Sequence, residues 1–259
     1  MSLRNAFPFA ALISATLITA CGGGGGDNEA PAQVAPPAGP EGFYKGRTGT
    51  ADIRAVVLDD GRTYAIYLTP DNGALGGVVI ARGNASDGVY TSAVAKDFVV
   101  GEGVYSGSLT ASYAAKKSFN GTFSAGGQTA PFTSAYNGLY GLSPSTSLSK
   151  LAGVHGITLM ASDGSTAMGH ITITAEGALS FSALDPRCLR TSGTVSPRSK
   201  GNVFDVTLTS TGFGCLLPGV ALSGIVFYDT QVSTLNVVMH TDDLNTAILG
   251  IGSRDSEWW

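Results

Sequence analysis

The sequence predicts an all-β protein built from two tandem antiparallel barrel-like domains of eight strands each. Three observations carry that expectation. The chain has 259 residues, of which 43% are hydrophobic, only 13% are charged and 36 are glycine; such a composition suits strands joined by many turns. Apolar and polar residues alternate with period two in several runs. Ile171, Thr172, Ile173 and Thr174 do so, as does the stretch from Val203 to Thr209, with Phe204, Val206 and Leu208 on one face. Turn-forming pairs punctuate the runs: Asp60-Gly61, Asn72-Gly73, Asp87-Gly88, Asn120-Gly121, Asn137-Gly138 and Asp163-Gly164.

The same composition excludes other classes. Disorder needs low hydrophobicity and high net charge. A coiled coil or helical bundle would be rich in Ala, Glu, Lys, Leu and Arg. The net charge of −4 and the lack of a basic stripe argue against nucleic acid as a partner.

Residues 1–20 read as a signal peptide to be set aside before the fold is considered. Arg4 supplies the positive start, and an apolar run from Ala6 to Ala20 follows, too short to span a bilayer. The run ends in Ile18-Thr19-Ala20-Cys21. This resembles the lipobox of bacterial lipoproteins, in which the Cys thiol is lipidated and becomes the new N-terminus; the alternative is an ordinary secretory signal with an incidental Cys. The resemblance implies lipidation of Cys21 and anchoring in a membrane. Gly22 stands where that family's inner-membrane retention signal has Asp, which implies the outer membrane of a Gram-negative envelope. Residues 21–42 form a Gly- and Pro-rich tether: Gly22 to Gly26 as a flexible coil, then Pro31, Pro36, Pro37 and Pro40 as a stiffer spacer.

With Cys21 assigned to lipid, Cys188 and Cys215 remain. In an oxidising envelope they are expected to form a disulfide, closing a loop of about 27 residues with a stabilisation of roughly 3.5 kcal/mol. Two Cys without a His pattern make a poor zinc site, so no metal is expected.

The first β domain is placed at 43–140, with strands at 43–48, 52–59, 62–69, 74–81, 92–100, 103–114, 117–125 and 128–136. In the third, Tyr64, Ile66 and Leu68 face one way and Thr63, Ala65, Tyr67 and Thr69 the other, a pattern with one buried face. The second domain is placed at 141–255, with strands at 153–161, 167–175, 178–183, 191–197, 202–211, 219–229, 232–240 and 245–252. Thr146 to Ala152 reads as one or two helical turns stopped by Gly153. A short helix leading into such a strand is similar to the start of many small lipocalin-like barrels. The segment Asn120 to Ser124 resembles Ser192 to Ser196, which suggests diverged copies. Closure into eight-stranded barrels would remove sheet edges and leave room for side chains or one small ligand.

Lipobox, tether and strand pattern together resemble, in layout, two-β-domain surface lipoproteins typified by factor H binding protein and the transferrin-binding lipoproteins. No sequence motif of those families is present, so no binding residue is carried over.

Catalytic patterns are absent. There is no Gly-x-Ser-x-Gly elbow, P-loop, dinucleotide fingerprint, zincin or EF-hand motif. Ser147 to Lys150 fits Ser-x-x-Lys, but the companion Lys-Thr-Gly is missing, and the match reads as part of a helical turn. Alternation puts His170 on a solvent face with Thr172 and Thr174. His240 ends a strand beside Asp242 and Asp243, as either a metal cluster or a polar turn. His155 points either into the second barrel or outward. Asp59-Asp60 and Asp242-Asp243 read as turn formers, and Asp185 to Cys188 as a loop pinned by the disulfide. Phe43, Tyr44, Tyr64, Tyr67, Tyr90, Tyr105, Tyr113 and Tyr136 crowd the first half, for strand packing or for binding. Trp258 and Trp259 either trail free or plug the last barrel. The expected function is non-catalytic: an outer-membrane lipoprotein, needing no cofactor, whose β domains bind a protein, glycan or small ligand. The alternative is a periplasmic-facing structural or assembly lipoprotein.

Overall fold

Sixteen strands close into two eight-stranded antiparallel barrels in this computed structural model, which describes residues 38–141, 148–184, 191–210, 217 and 219–254. The first barrel runs β1(Gly42–Thr48), β2(Ala51–Val57), β3(Arg62–Leu68), β4(Leu75–Ser86), β5(Val89–Val99), β6(Gly103–Ala114), β7(Ser118–Ala125) and β8(Gln128–Tyr136). The second runs β9(Gly153–Ala161), β10(Thr166–Ile173), β11(Ala178–Ala183), β12(Thr191–Pro197), β13(Phe204–Ser210), β14(Ala221–Asp229), β15(Thr234–His240) and β16(Ala247–Arg254). Each is an up-and-down meander, sealed by β1 against β8 and by β16 against β9. Closure pairs every strand on both sides, so neither sheet presents an edge.

The expected all-β class with two eight-stranded barrels is therefore what the chain adopts. Hairpins sit at the expected Asp60-Gly61, Asn72-Gly73, Asp87-Gly88 and Asp163-Gly164 pairs, each with its glycine at positive φ. Asp87 at 51° and Gly88 at 80° join β4 to β5.

Two local expectations are corrected. Asn120-Gly121 lies within β7 rather than at a turn. A Cβ on Gly121 would come within 2.1 Å of Thr110 O, so the glycine permits close backbone approach in the wall. Gly193, in the segment that resembled it, meets Thr207 O in the same way at 1.9 Å. These segments occupy the seventh strand of one barrel and the fourth of the other, so their similarity reflects a shared steric need at non-equivalent places. Second, β4 and β5 are longer than the expected 74–81 and 92–100. They continue through polar residues to the Asp87-Gly88 turn, with bulges between Arg82 and Asn84 and between Ser92 and Ala95.

A 3-10 turn, Leu148–Lys150, precedes β9 where helical turns were expected. Cys21, Cys188, Cys215, the Asp185 to Cys188 loop, Ser147, Trp258 and Trp259 lie outside the described residues, and so does the expected disulfide.

Apolar residues form three cores. One fills the first barrel, including Tyr44, Val57, Val79, Leu109 and Phe119. One fills the second, including Leu159, Ile171, Phe181, Val206 and Ile248. The third is a seam joining Phe43, Val56, Tyr64, Ile66 and Ile80 of the first barrel to Ile225, Phe227, Val238, Leu244 and Leu249 of the second. Both barrels lie in one unit, residues 37–259.

The seam corrects the expectation of one buried face per strand. In β3, Tyr64 and Ile66 enter the seam, whereas Thr63 and Ala65 face the barrel interior; all but Ala65 are buried. In β15, Leu235, Val237 and Met239 enter the second barrel's core while Val238 enters the seam and His240 stacks on Tyr64. At its centre, the Phe43 and Phe227 rings lie 4.9 Å apart. Fully burying each such side chain contributes about 1.5–3 kcal/mol.

Charges rim the seam. Arg198, in the β12–β13 hairpin, bonds Asp59 at 2.8 Å, Asp60 at 2.9 Å and Asp205 at 2.8 Å. Arg62 meets Asp60 at 2.7 Å, and Lys45 meets Asp229 at 2.9 Å. Asp59-Asp60 thus shapes a turn as expected and also grips the neighbouring barrel. Burial pushes the Asp60 carboxyl up, but hydrogen bonds from Arg62 and Arg198 outweigh it and hold the pKa at about 2.

Candidate functional site

Small side chains leave space inside the first barrel. Ala51, Ala55, Ala65 and Ala130 line it, whereas the second barrel's core carries Ile, Leu, Val and Phe. The result is a cavity of about 290 Å³, near the small end of the range for ligand pockets. Its closed end is aromatic: Phe119 lies 5.5 Å from both Tyr44 and Tyr90 and 5.8 Å from Phe132, ring to ring. Those two tyrosines are tied down by donating to Pro40 O at 2.7 Å and to Gly61 O at 2.8 Å. At the other end Thr48, Ala51 and the exposed Ala130 line the cavity beside the β1–β2 hairpin.

Polar groups on this apolar wall are few. The Tyr67 hydroxyl donates to Asp97 Oδ1 at 2.9 Å. Asp97 is the one charged residue among those lining the cavity. Burial raises the Asp97 pKa, the Tyr67 hydrogen bond opposes the rise, and the charge of Glu102 adds to it. Burial and the Asp97 charge likewise push the Tyr67 hydroxyl up, so it stays a donor. Thr63 is fully buried on the wall; the Tyr90 hydroxyl beside it donates to Gly61 O at 2.8 Å, and its interaction with the Thr63 hydroxyl opposes the rise that burial gives the Tyr90 pKa.

A β-bulge aims Asp97 inward. Tyr90 and Ser92 face the interior, so unbroken alternation would send Lys96 in and Asp97 out. The bulge between Ser92 and Ala95 shifts the count by one. The Ser92 hydroxyl clasps the kink, lying 2.7 Å from Arg82 O and 2.8 Å from Val94 O. Phe98 then turns outward into the seam, and Lys96 Nζ reaches the Ser106 hydroxyl at 2.9 Å. Sequence reasoning did not single out Asp97. The run of small residues from Thr91 to Ala95 gives no local sign of the bulge that turns Asp97 inward.

The histidines resolve separately. His155 points into the second barrel, fully buried, with Nε2 2.8 Å from Leu151 O and its ring 6.4 Å from Tyr228. His170 lies half-buried on the outer wall, beside Met168 and Leu184 in a shallow groove. His240 is buried at the seam, with Nδ1 2.9 Å from Thr241 O and Nε2 3.3 Å from the Tyr64 hydroxyl. Burial lowers its pKa. Asp243 caps its own turn instead, accepting from the Thr241 hydroxyl and the Asn245 amide. Among the described residues no group of three or more His, Cys, Asp or Glu converges as a metal site.

The eight aromatics of the first half divide between uses. Phe43 and Tyr64 belong to the seam, Tyr44 and Tyr90 to the closed end, and Tyr67 to the cavity wall; Tyr113 and Tyr136 pack partly buried against the first barrel's core, and Tyr105 is exposed. No protein-family model, curated protein or solved structure matches this chain.

Proposed function

We propose that the chain is a non-catalytic, lipid-anchored lipoprotein of the outer membrane whose first barrel binds a small, largely apolar ligand. The observation that carries the binding half is the Ala-lined cavity with its single hydrogen-bonded Tyr67–Asp97 pair. A concave apolar space with a few convergent polar groups is the usual form of a small-molecule site. The anchoring half rests on Ile18-Thr19-Ala20-Cys21 and the Gly-rich tether that follows.

Two experiments test the halves separately. Indole, a neutral aromatic probe, should bind the full-length protein saturably by titration calorimetry. Ala65→Leu, which fills the cavity, should abolish that binding while the thermal midpoint is kept. Equal binding by the filled variant removes the cavity as the binding site, and so does absence of saturable binding by indole, phenethylammonium, 2-phenylethanol and phenylacetate alike. Labelled palmitate should enter the wild-type protein and not Cys21→Ser, and the variant should leave the membrane fraction; retention of label by the variant contradicts the anchor.

A further inference from the structure

We infer that the first-barrel cavity selects a small organic cation: an ammonium group paired with Asp97 and an apolar body filling the alanine-lined space. The inference rests on the small-ligand reading above and names its ligand class.

Three features of the site point the same way. The carboxylate of Asp97 lines the cavity, yet no lysine, arginine or histidine lines it with Asp97. The chain's nearest candidate in sequence, Lys96, is directed away and bonded to Ser106. Asp97 therefore has an anion's hydrogen-bonding capacity with one phenol, Tyr67, donating to its Oδ1, and a second oxygen left to accept from a ligand. Around it stand aromatic rings: Tyr67, Phe119, Phe123 and Phe132 all line the same space. Ring faces carry negative potential and attract cations, most strongly where water is excluded. Glu102 near the β5–β6 turn adds to the negative potential felt by Asp97.

Other ligand classes fit less well. A carboxylate or phosphate would meet Asp97 with no compensating positive charge. A metal ion requires several anionic or imidazole ligands, and here the wall offers one carboxylate and one phenol. A wholly apolar ligand would leave the charged form of Asp97 desolvated and unpaired.

The test compares three ligands of one shape on the full-length protein by titration calorimetry: phenethylammonium, 2-phenylethanol and phenylacetate. Phenethylammonium is expected to bind tightest and phenylacetate not at all. Asp97→Asn keeps the shape and removes the charge. It should weaken phenethylammonium about 10- to 100-fold, the usual worth of a hydrogen bond to a charged group, while 2-phenylethanol is retained. Tyr67→Phe is a second, milder variant and should weaken the cation less than Asp97→Asn does. Equal affinity for phenethylammonium and 2-phenylethanol, or an Asp97→Asn protein that binds the cation unchanged, overturns the cation inference and leaves the ligand site standing. Failure of all three ligands together with indole overturns both.

Discussion

The two barrels share strand number, meander order and closure, yet among the described residues their interiors differ: the first is lined by small side chains around a cavity, and the second carries large ones. In the first, Ala51, Ala55, Ala65 and Ala130 line a space of about 290 Å³. In the second, the interior holds Ile157, Leu159, Ile171, Phe181, Phe204 and Leu208, and the barrel is a packed core. Topology therefore does not decide whether an eight-stranded barrel binds anything; the volume of its inward side chains does. The outer walls carry a second lesson. Part of each barrel's outside is apolar because it faces the other barrel, so strands β2–β4 and β14–β16 serve two cores at once.

That comparison can be broken in order of effect. The largest is expected at the seam. Phe227→Ala should cost about 3–5 kcal/mol and separate one unfolding transition into two, read by chemical denaturation with probes in each barrel. A single unchanged transition would mean that the barrels do not lean on each other there.

Next comes the contrast between interiors. Leu159→Ala in the second barrel should cost about 2–5 kcal/mol, because a packed core collapses only partly around the hole. Ala65→Leu in the first should change stability by less than about 1.5 kcal/mol, since the added volume enters existing space. Comparable losses from both would deny the difference in packing.

Smaller still is the ionic rim. Arg198→Ala leaves Asp59 without its partner while Asp60 and Asp205 keep Arg62, and all three are only partly buried, so a loss of about 1–3 kcal/mol is expected, below the full cost of breaking a buried pair. The pH dependence has a fixed sign. Asp60 is held at about 2 against an unperturbed 3.8. Its contribution is complete above the higher value and is lost as pH falls through the lower one. Between those limits the wild-type thermal midpoint should fall more steeply than that of Asp60→Asn; parallel profiles would show that the pairing adds nothing.

Much of this fold was legible in the sequence, because strand alternation and Asp-Gly or Asn-Gly turns are local signals. Phe204, Val206 and Leu208 were read on one face, and all three enter the second barrel's core. The misreadings have physical causes. Gly121 looked like a turn because a glycine needed for close approach in a strand carries the same letter as one needed for positive φ. Tyr64 and Ile66 were correctly set opposite Thr63 and Ala65. Alternation alone, however, does not reveal that the first pair meets Phe227 and Val238 from far along the chain. The site was the least legible part. Asp97 faces the cavity only because a bulge reverses the parity of β5, and alternation fails where a bulge intervenes.

The central claim is that the first barrel is hollow and the second is filled. Crystals of the full-length protein under xenon pressure test it most directly, because xenon enters dry apolar cavities. The account predicts xenon in the first barrel, between Phe119 and Ala130, and none among Leu159, Ile171 and Phe181. Xenon absent from the first barrel, or present in the interior of the second, would contradict it.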